Sequence, residues 1–352
     1  MLIPFASTQT RPGWLLACGI VLHDLLSWRK RLPHSRILGP RAIRSRWPSV
    51  AATGVRWGGL FSDAQVPFTE RLCVELAMDA QRRGAVVLTH APVEELVRSG
   101  GRVTGLRYRD RADGRLRQVG ASVVVNAAGS WVDEVLARGG LAERRIGPTK
   151  GSHLVVEAFE GAPDTCVFFE NPRDHRPMFV LPWAGRYMVG TTDLPYDGPL
   201  DEIVIDDDEV DYLLSAVNSL IPAARLTPQD VVWSYSGVRP LPYVGAVDDP
   251  ATVSREHQVV VHAGPETGLV TVVGGKLTTH RALGEHVTET VEDVLGRPHL
   301  PSPTRHAALP GAPAGAWPQA RRRLVDASIL ARPVATRLVD TYGALSGRIE
   351  DL

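Results

Sequence analysis

Leu269-Val270-Thr271-Val272-Val273, mostly β-branched, ends on Gly274-Gly275 and runs through Lys276-Leu277-Thr278-Thr279 into a long helical pattern. No other stretch constrains the fold as tightly. β-Branched residues favour an extended chain. A run without polar alternation suits a strand covered on both faces. Two glycines then permit a sharp turn and a close approach of another group to the backbone. The spacing predicts a helix from about Leu277 to Leu295, stopped by Gly296 and Pro298. A strand that feeds straight into a helix is the building unit of α/β folds. The free N–H groups at such a helix start suit a phosphate or an electron-rich ring edge, and Lys276 adds a full positive charge. The same pattern also serves as a plain strand–helix turn, and by itself it does not separate the two.

A second segment has the same form. Ser122-Val123-Val124-Val125-Asn126 reads as a strand buried on both faces, running into Ala127-Ala128-Gly129 and a helix starting near Trp131. Small residues at a strand end let a dinucleotide lie over it. Before it, Leu72, Leu76 and Ala80 recur at helical spacing with Gly84 as the stop. Val86-Val87-Leu88 reads as a short buried strand. A meander is predicted over Glu94–Val97, Val103–Tyr108 and Leu116–Val119, with turns at Gly100-Gly101 and Asp113-Gly114. Residues 32–48 read as a polar connection.

The middle of the chain changes character. Leu154-Val155-Val156, Met178–Leu181 and Tyr187–Val189 are short strands in close succession, which indicates a mainly antiparallel sheet inserted in the α/β unit. Asp206-Asp207-Asp208-Glu209 opens a further helix, where acids complement the helix dipole; a cation site is the alternative reading. Strands follow at Val231–Trp233 and Val259–Val261. Beyond Pro301 a Pro/Ala/Gly-rich linker leads to helices around Arg321–Leu324 and Ala335–Tyr342.

Lys+Arg and Asp+Glu both number 39 in the 352 residues, so nothing favours nucleic acid as a partner. Cys18, Cys73 and Cys166 show neither metal spacing nor a disulfide framework, which suits a reducing, cytoplasmic setting. The apolar run Trp14–Leu22 is too short to span a bilayer. It reads as a core helix or as one that also touches a membrane surface.

Ser236-Gly237-Val238-Arg239-Pro240 places an arginine beside a glycine at a strand end, and arginine suits bidentate binding of phosphate or carboxylate. Gly151-Ser152-His153, Leu181-Pro182-Trp183 and Gly190-Thr191-Thr192-Asp193 precede this motif in the chain, and Gly274-Gly275-Lys276-Leu277-Thr278-Thr279 follows it. With these motifs in this order, the chain resembles the FAD-dependent, quinone-linked glycerol-3-phosphate dehydrogenases from residue 2 to about residue 345. The resemblance implies an α/β (α+β) fold, with an FAD-binding domain of the glutathione-reductase type, an inserted antiparallel-sheet substrate domain and a short C-terminal helical unit. The expected divisions are 1–53 as a helical and connecting segment, 54–149 with 237–298 as the FAD-binding domain, 150–236 as the substrate domain, and 299–352 as the linker and helical unit.

The implied reaction is oxidation of sn-glycerol 3-phosphate to dihydroxyacetone phosphate by hydride transfer to FAD, with electrons passed to a membrane quinone. Carried over residue by residue, Arg239 and Lys276 would hold the substrate phosphate or polarise its hydroxyl oxygen, and Thr278 would lie near flavin and substrate. Gly237, Gly274, Gly275 and Leu277 would line the isoalloxazine ring. Asn126, Ala127, Gly129 and Trp131 would sit along the cofactor, and Val93 near its adenine side. His153 is a candidate general base because imidazole titrates in the right range, and a core or surface role is equally open. A location in the cytoplasm or at the inner face of the cell membrane, with a homodimer, is compatible with this reading.

One element departs from the family pattern. No Gly-x-Gly-x-x-Gly follows a strand anywhere in the 352 residues. That loop would hold the pyrophosphate. The expectation is a truncated enzyme, with a degenerate relative or fragment unable to bind FAD alone as the alternative.

Overall fold

The computed structural model describes residues 1–30, 32–245, 253–262 and 267–351. Its contacts divide the chain into two units: residues 1–65, 129–133 and 144–256, and residues 66–128, 134–143 and 257–352. The chain enters through β1 (Leu2–Pro4), α1 (Gly13–Leu26), β2 (Arg36–Leu38), α2 (Pro40–Arg46), α3 (Pro48–Ala51) and β3 (Gly58–Leu60). It continues as α4 (Thr69–Arg82), the meander β4 (Val93–Ser99), β5 (Arg102–Arg109) and β6 (Leu116–Gly120), then β7 (Val124–Asn126) and α5 (Val132–Arg138). The middle contributes β8 (Thr149–Val156), β9 (Val167–Glu170), β10 (Pro177–Trp183), β11 (Arg186–Gly190), β12 (Leu194–Pro195), α6 (Asp207–Leu220) and β13 (Val231–Arg239). The rest is β14 (Gln258–Val261), β15 (Leu269–Val273), α7 (His280–Val294), α8 (Trp317–Ala327), α9 (Arg332–Tyr342) and α10 (Ser346–Glu350).

In the first unit the strands join into one nine-stranded sheet in the order β12-β8-β11-β10-β9-β1-β3-β2, with β13 also paired to β8. Antiparallel hairpins dominate it, and the exception is the parallel contact of Leu2 with Val167. The expected antiparallel substrate sheet is therefore present, and β1, β2 and β3 from the first 65 residues extend it. The boundary expected at 236/237 falls inside β13. Alternation along β10 and β11 turns Met178, Val180 and Val189 inward. They pack with Leu154, Val156 and the apolar stripe of α6, Leu213, Val217 and Ile221, all essentially inaccessible. Asp206 caps α6, accepting from the Glu209 N–H at 2.9 Å, and Glu209 returns a bond to the Asp206 N–H. This capping box, worth about 0.5–2 kcal/mol, accounts for the acidic run. Among the described residues no cluster of three or more His, Cys, Asp or Glu side chains is placed to hold a metal ion.

The second unit contains the meander β4-β5-β6 and a three-stranded sheet β14-β15-β7. β15 and β7 run parallel, with Thr271 opposite Asn126. β15 is buried throughout, as its unbroken apolar run requires. Several sequence expectations change here. Val86–Leu88 is not a strand: no described strand pairs with it, and Val86 is 84% exposed. β7 is confined to Val124–Asn126, and Val125 faces outward rather than lying buried on both faces. The supposed polar connection 32–48 contains β2 and α2, which pairs and packs with the first unit's sheet. α1 is not a core helix: only Ile20 is buried, while Trp14, Leu22, Leu25 and Leu26 are each more than half exposed.

Candidate functional site

In the first unit, three neighbouring strands place their polar side chains on one patch. β13 lies against β8 with Gly237 opposite Gly151, Ser236 opposite Ser152 and Tyr235 opposite His153. β11 flanks the other edge of β8, with Gly190 opposite His153. Two glycines make the room. A Cβ on Gly151 would lie 2.1 Å from Nη2 of Arg239, and one on Gly190 would lie 2.1 Å from Cδ2 of His153. The guanidinium of Arg239 and the imidazole of His153 therefore occupy the spaces where side chains would otherwise stand.

Arg239 is held on three sides. Its Nη1 donates to Asp193 Oδ1 at 3.0 Å, and its Nη2 donates to Thr191 Oγ1 at 2.9 Å and to the Thr192 carbonyl at 3.2 Å. Of the five guanidinium N–H groups, three are engaged among the described residues, where the Nε hydrogen and one Nη1 hydrogen remain to donate. Burial lowers its pKa, Asp193 works against that, and the neighbouring charge of Arg255 adds to it; it stays a cation. Arg255 Nη2 reaches the other Asp193 oxygen at 3.3 Å. Neither Asp193 nor Arg255 was given a role from sequence. Asp193 stood at the end of a recognised motif, whereas Arg255 carries no local signal and becomes visible only through the carboxylate it shares.

His153 stacks flat on Tyr235, with centroids 4.8 Å apart and planes within 7°. Its Nδ1 is buried without a hydrogen-bond partner. Burial, and then the charge of Arg239, push its pKa down to about 4, so the ring is neutral at physiological pH and retains a basic nitrogen.

Behind this patch lies a buried polar network. The Glu209 carboxylate accepts from Ser152 Oγ at 2.9 Å and Thr192 Oγ1 at 2.6 Å, and pairs with Lys150 Nζ at 2.7 Å. Ser152 Oγ lies 2.7 Å from Ser236 Oγ, and its N–H donates to Thr192 Oγ1 at 2.8 Å. Burial opposes the charge of Lys150, and its bonds to Glu209 and Asp206 outweigh that, so its pKa is raised. The network ties β8, α6, β13 and the loop after β11 together.

The remaining sequence-chosen residues divide between the units. Gly129, Trp131, Gly237 and Arg239 belong to the first, and Val93, Asn126, Ala127, Gly274, Gly275, Lys276, Leu277 and Thr278 to the second. Within the first unit, Ser130 Oγ donates to the Val238 carbonyl at 2.8 Å, which ties the Gly129–Trp131 turn to β13. Gly129 has φ +59°, and a Cβ there or on Gly237 would point into open space, so both fit the face of a flat ring.

Within the second unit, β7 and β15 end side by side, which sets Asn126-Ala127 and Gly274-Gly275-Lys276 at the carboxyl ends of adjacent parallel strands, where ligands of open α/β sheets bind. Asn126 Oδ1 accepts from the Ala128 N–H at 3.3 Å, shaping the turn. Gly274 and Gly275 have φ +71° and +96°, a conformation glycine adopts without strain. Lys276, Leu277 and Thr278 are exposed, and no side chain caps the turn at Leu277–Thr279 or the start of α7. The Thr279 N–H donates back to the Lys276 carbonyl at 3.0 Å, which closes the turn. Val93 stands apart on β4, opposite Tyr108.

Residues 3–289 match the family of FAD dependent oxidoreductases designated DAO. The chain belongs to this family. It is 38% identical over 361 residues to a glycerol-3-phosphate dehydrogenase of Synechocystis, covering 99% of this chain and 65% of that protein. It is 33% identical over 310 residues to the D-erythritol 1-phosphate dehydrogenase of Brucella abortus, covering 87% and 60%. Among solved structures it resembles the glycerol-3-phosphate dehydrogenase of Bacillus halodurans complexed with FAD, with TM-score 0.78 and 27% identity, covering 90% of this chain and 62% of that one. The chain thus spans less than two thirds of the length of these relatives. Family and mixed α/β architecture agree with the expectation from sequence.

Proposed function

We propose that this chain carries the substrate-recognising part and the flavin-ring part of an enzyme that oxidises sn-glycerol 3-phosphate to dihydroxyacetone phosphate. The observation that carries the reading is Arg239: a cation fixed by Asp193, Thr191 and Thr192, with two N–H groups not engaged by any described residue, next to a neutral imidazole. A fixed guanidinium suits a phosphate. His153, uncharged, keeps a ring nitrogen lone pair that can accept a hydrogen bond from a substrate hydroxyl. FAD, when bound, supplies the hydride acceptor. On this reading Gly129 and Gly237 give flat backbone beside it. Gly274, Gly275 and Leu277 serve its ring, and Asn126, Ala127 and Trp131 lie along it, with Val93 toward its adenine. Lys276 holds the substrate phosphate or polarises its hydroxyl oxygen, and Thr278 lies near flavin and substrate.

Quinone is the proposed electron acceptor, and α1 the proposed contact with a membrane surface. Among the described residues no helix is long and apolar enough to cross a membrane, but the exposed Trp14, Leu22, Leu25 and Leu26 can insert into an interface.

The test is a calorimetric titration of the chain with sn-glycerol 3-phosphate and with glycerol, followed by an assay with added FAD and an artificial electron acceptor. Binding that requires the phosphate is expected, and the assay reads whether the chain also takes up FAD and turns over the phosphate ester. No binding of either compound would overturn the reading. The identity to the erythritol-phosphate enzyme favours D-erythritol 1-phosphate as a second substrate, and running it alongside decides between them.

A further inference from the structure

We infer that Asp193 is the positioning residue that sets the orientation in which Arg239 meets an anionic substrate; the inference rests on the proposed function above. The Asp193 side chain is almost inaccessible and touches both arginines, Arg239 at 3.0 Å and Arg255 at 3.3 Å, through different oxygens. Two positive charges therefore surround one negative charge. Without it the two guanidiniums repel, and among the described residues nothing else ionised holds Arg239: its other partners there are the Thr191 hydroxyl and the Thr192 carbonyl. The loop bearing Asp193 is itself anchored. Thr192 donates to the buried Glu209 carboxylate, and the Asp193 carbonyl accepts from Arg176. The aspartate is thus presented from a rigid base, as a preorganised site requires.

This arrangement makes a prediction whose sign separates orientation from charge. Asp193→Asn keeps the shape and makes the patch more positive. If the electrostatic field alone attracted the phosphate, binding would tighten. If orientation dominates, binding weakens despite the added charge.

The experiment uses the full chain, with thermal unfolding to confirm that each variant folds. Calorimetry with sn-glycerol 3-phosphate is expected to show affinity reduced by roughly tenfold or more in D193N, the loss of about one well-directed charge-assisted hydrogen bond. Inorganic phosphate, which can follow a reorienting guanidinium, is expected to bind D193N no more weakly than the wild type. In parallel, ¹⁵N NMR of the arginine side chains, with Arg239 assigned through R239K, reads the guanidinium directly. Separate Nη signals, the mark of slow rotation, are expected in the wild type and averaged signals in D193N.

Thr191→Ala removes the other side-chain acceptor without altering charge, and it is expected to shift both readouts in the same direction if D193N does not fold. Averaged Nη signals in the wild type, or equal or tighter glycerol 3-phosphate binding by folded D193N, would overturn the inference. Absence of wild-type binding would sink the functional reading alone, because the NMR comparison needs no substrate.

Discussion

Adding one methyl group at Gly151 should disable phosphate recognition while leaving the fold intact. In Gly151→Ala the new Cβ would lie 2.1 Å from Nη2, 2.3 Å from Nη1 and 2.4 Å from Cζ of Arg239. Ordinary contact begins about 1 Å further out, so the guanidinium must leave. The atoms in the way are the end of a flexible side chain, so the strand need not move. Moving Arg239 gives up its bonds to Asp193, Thr191 and Thr192. Bonds made by a charged group are worth about 1.5–3 kcal/mol each, part of which returns when the displaced guanidinium is solvated. Alanine in a strand regains about 0.5–1 kcal/mol over glycine. The net loss of stability is therefore a few kcal/mol, read as a lowered unfolding temperature.

Ligand binding responds differently. Loss of a charge-assisted bond to the phosphate costs about 1.5–3 kcal/mol, which is roughly ten- to a hundredfold in affinity. Calorimetric titration with sn-glycerol 3-phosphate, paired with thermal unfolding of the same samples, measures both. A folded G151A that binds the ligand as tightly as the wild type would refute the assignment of Arg239 to the phosphate.

Other outcomes follow from the same patch and from α1. His153 is pushed from 6.5 to about 4, so between those values the unfolded chain holds a proton that the folded chain refuses. Its contribution to stability is complete above pH 6.5 and lost as pH falls toward 4, with a slope approaching 1.4 kcal/mol per unit at most, about. Urea unfolding at pH 7 and pH 5 should show a smaller difference for His153→Phe than for the wild type, and equal differences would count against the buried neutral imidazole. Glu209→Gln leaves Lys150 half-compensated in a buried setting and should destabilise by about 3 kcal/mol, read as a lower urea midpoint; an unchanged midpoint would show the ion pair to be dispensable. Leu22→Glu with Leu26→Glu should abolish cosedimentation with vesicles of mixed neutral and anionic lipid while leaving thermal stability unchanged. Undiminished binding would move the membrane contact elsewhere.

The elements that were legible in the sequence are those whose pattern is local. The run at Leu269–Val273 with its two glycines, the capped start of α6 and the meander around Gly100-Gly101 and Asp113-Gly114 each carry their instruction within a dozen residues, and the structure forms all of them. β1 and β2 were not legible, because three-residue strands of the composition Leu-Ile-Pro and Arg-Ile-Leu acquire strand character only from partners far along the chain, such as Val167 for Leu2. Val86–Leu88 shows the converse: the composition of a strand without a partner gives irregular, largely exposed chain. At the site, Arg239 was marked by its glycine and proline neighbours. Its surroundings were not, since Asp193, Glu209 and Arg255 lie on a loop, a helix and an irregular segment and come together only in the folded chain.

The Glu209 network carries a consequence for how this sequence can drift. Ser152, Thr192, Ser236, Lys150 and Glu209 each satisfy another member, so replacing one strands its partners inside the protein. Every single-step neighbour of the present combination is poorer than the combination itself. An apolar set of matched volume could be as stable or more so, but it lies several simultaneous changes away. These five positions should therefore vary together or not at all among related chains, a correlation imposed by hydrogen-bond stoichiometry even though none of the five needs to touch the substrate.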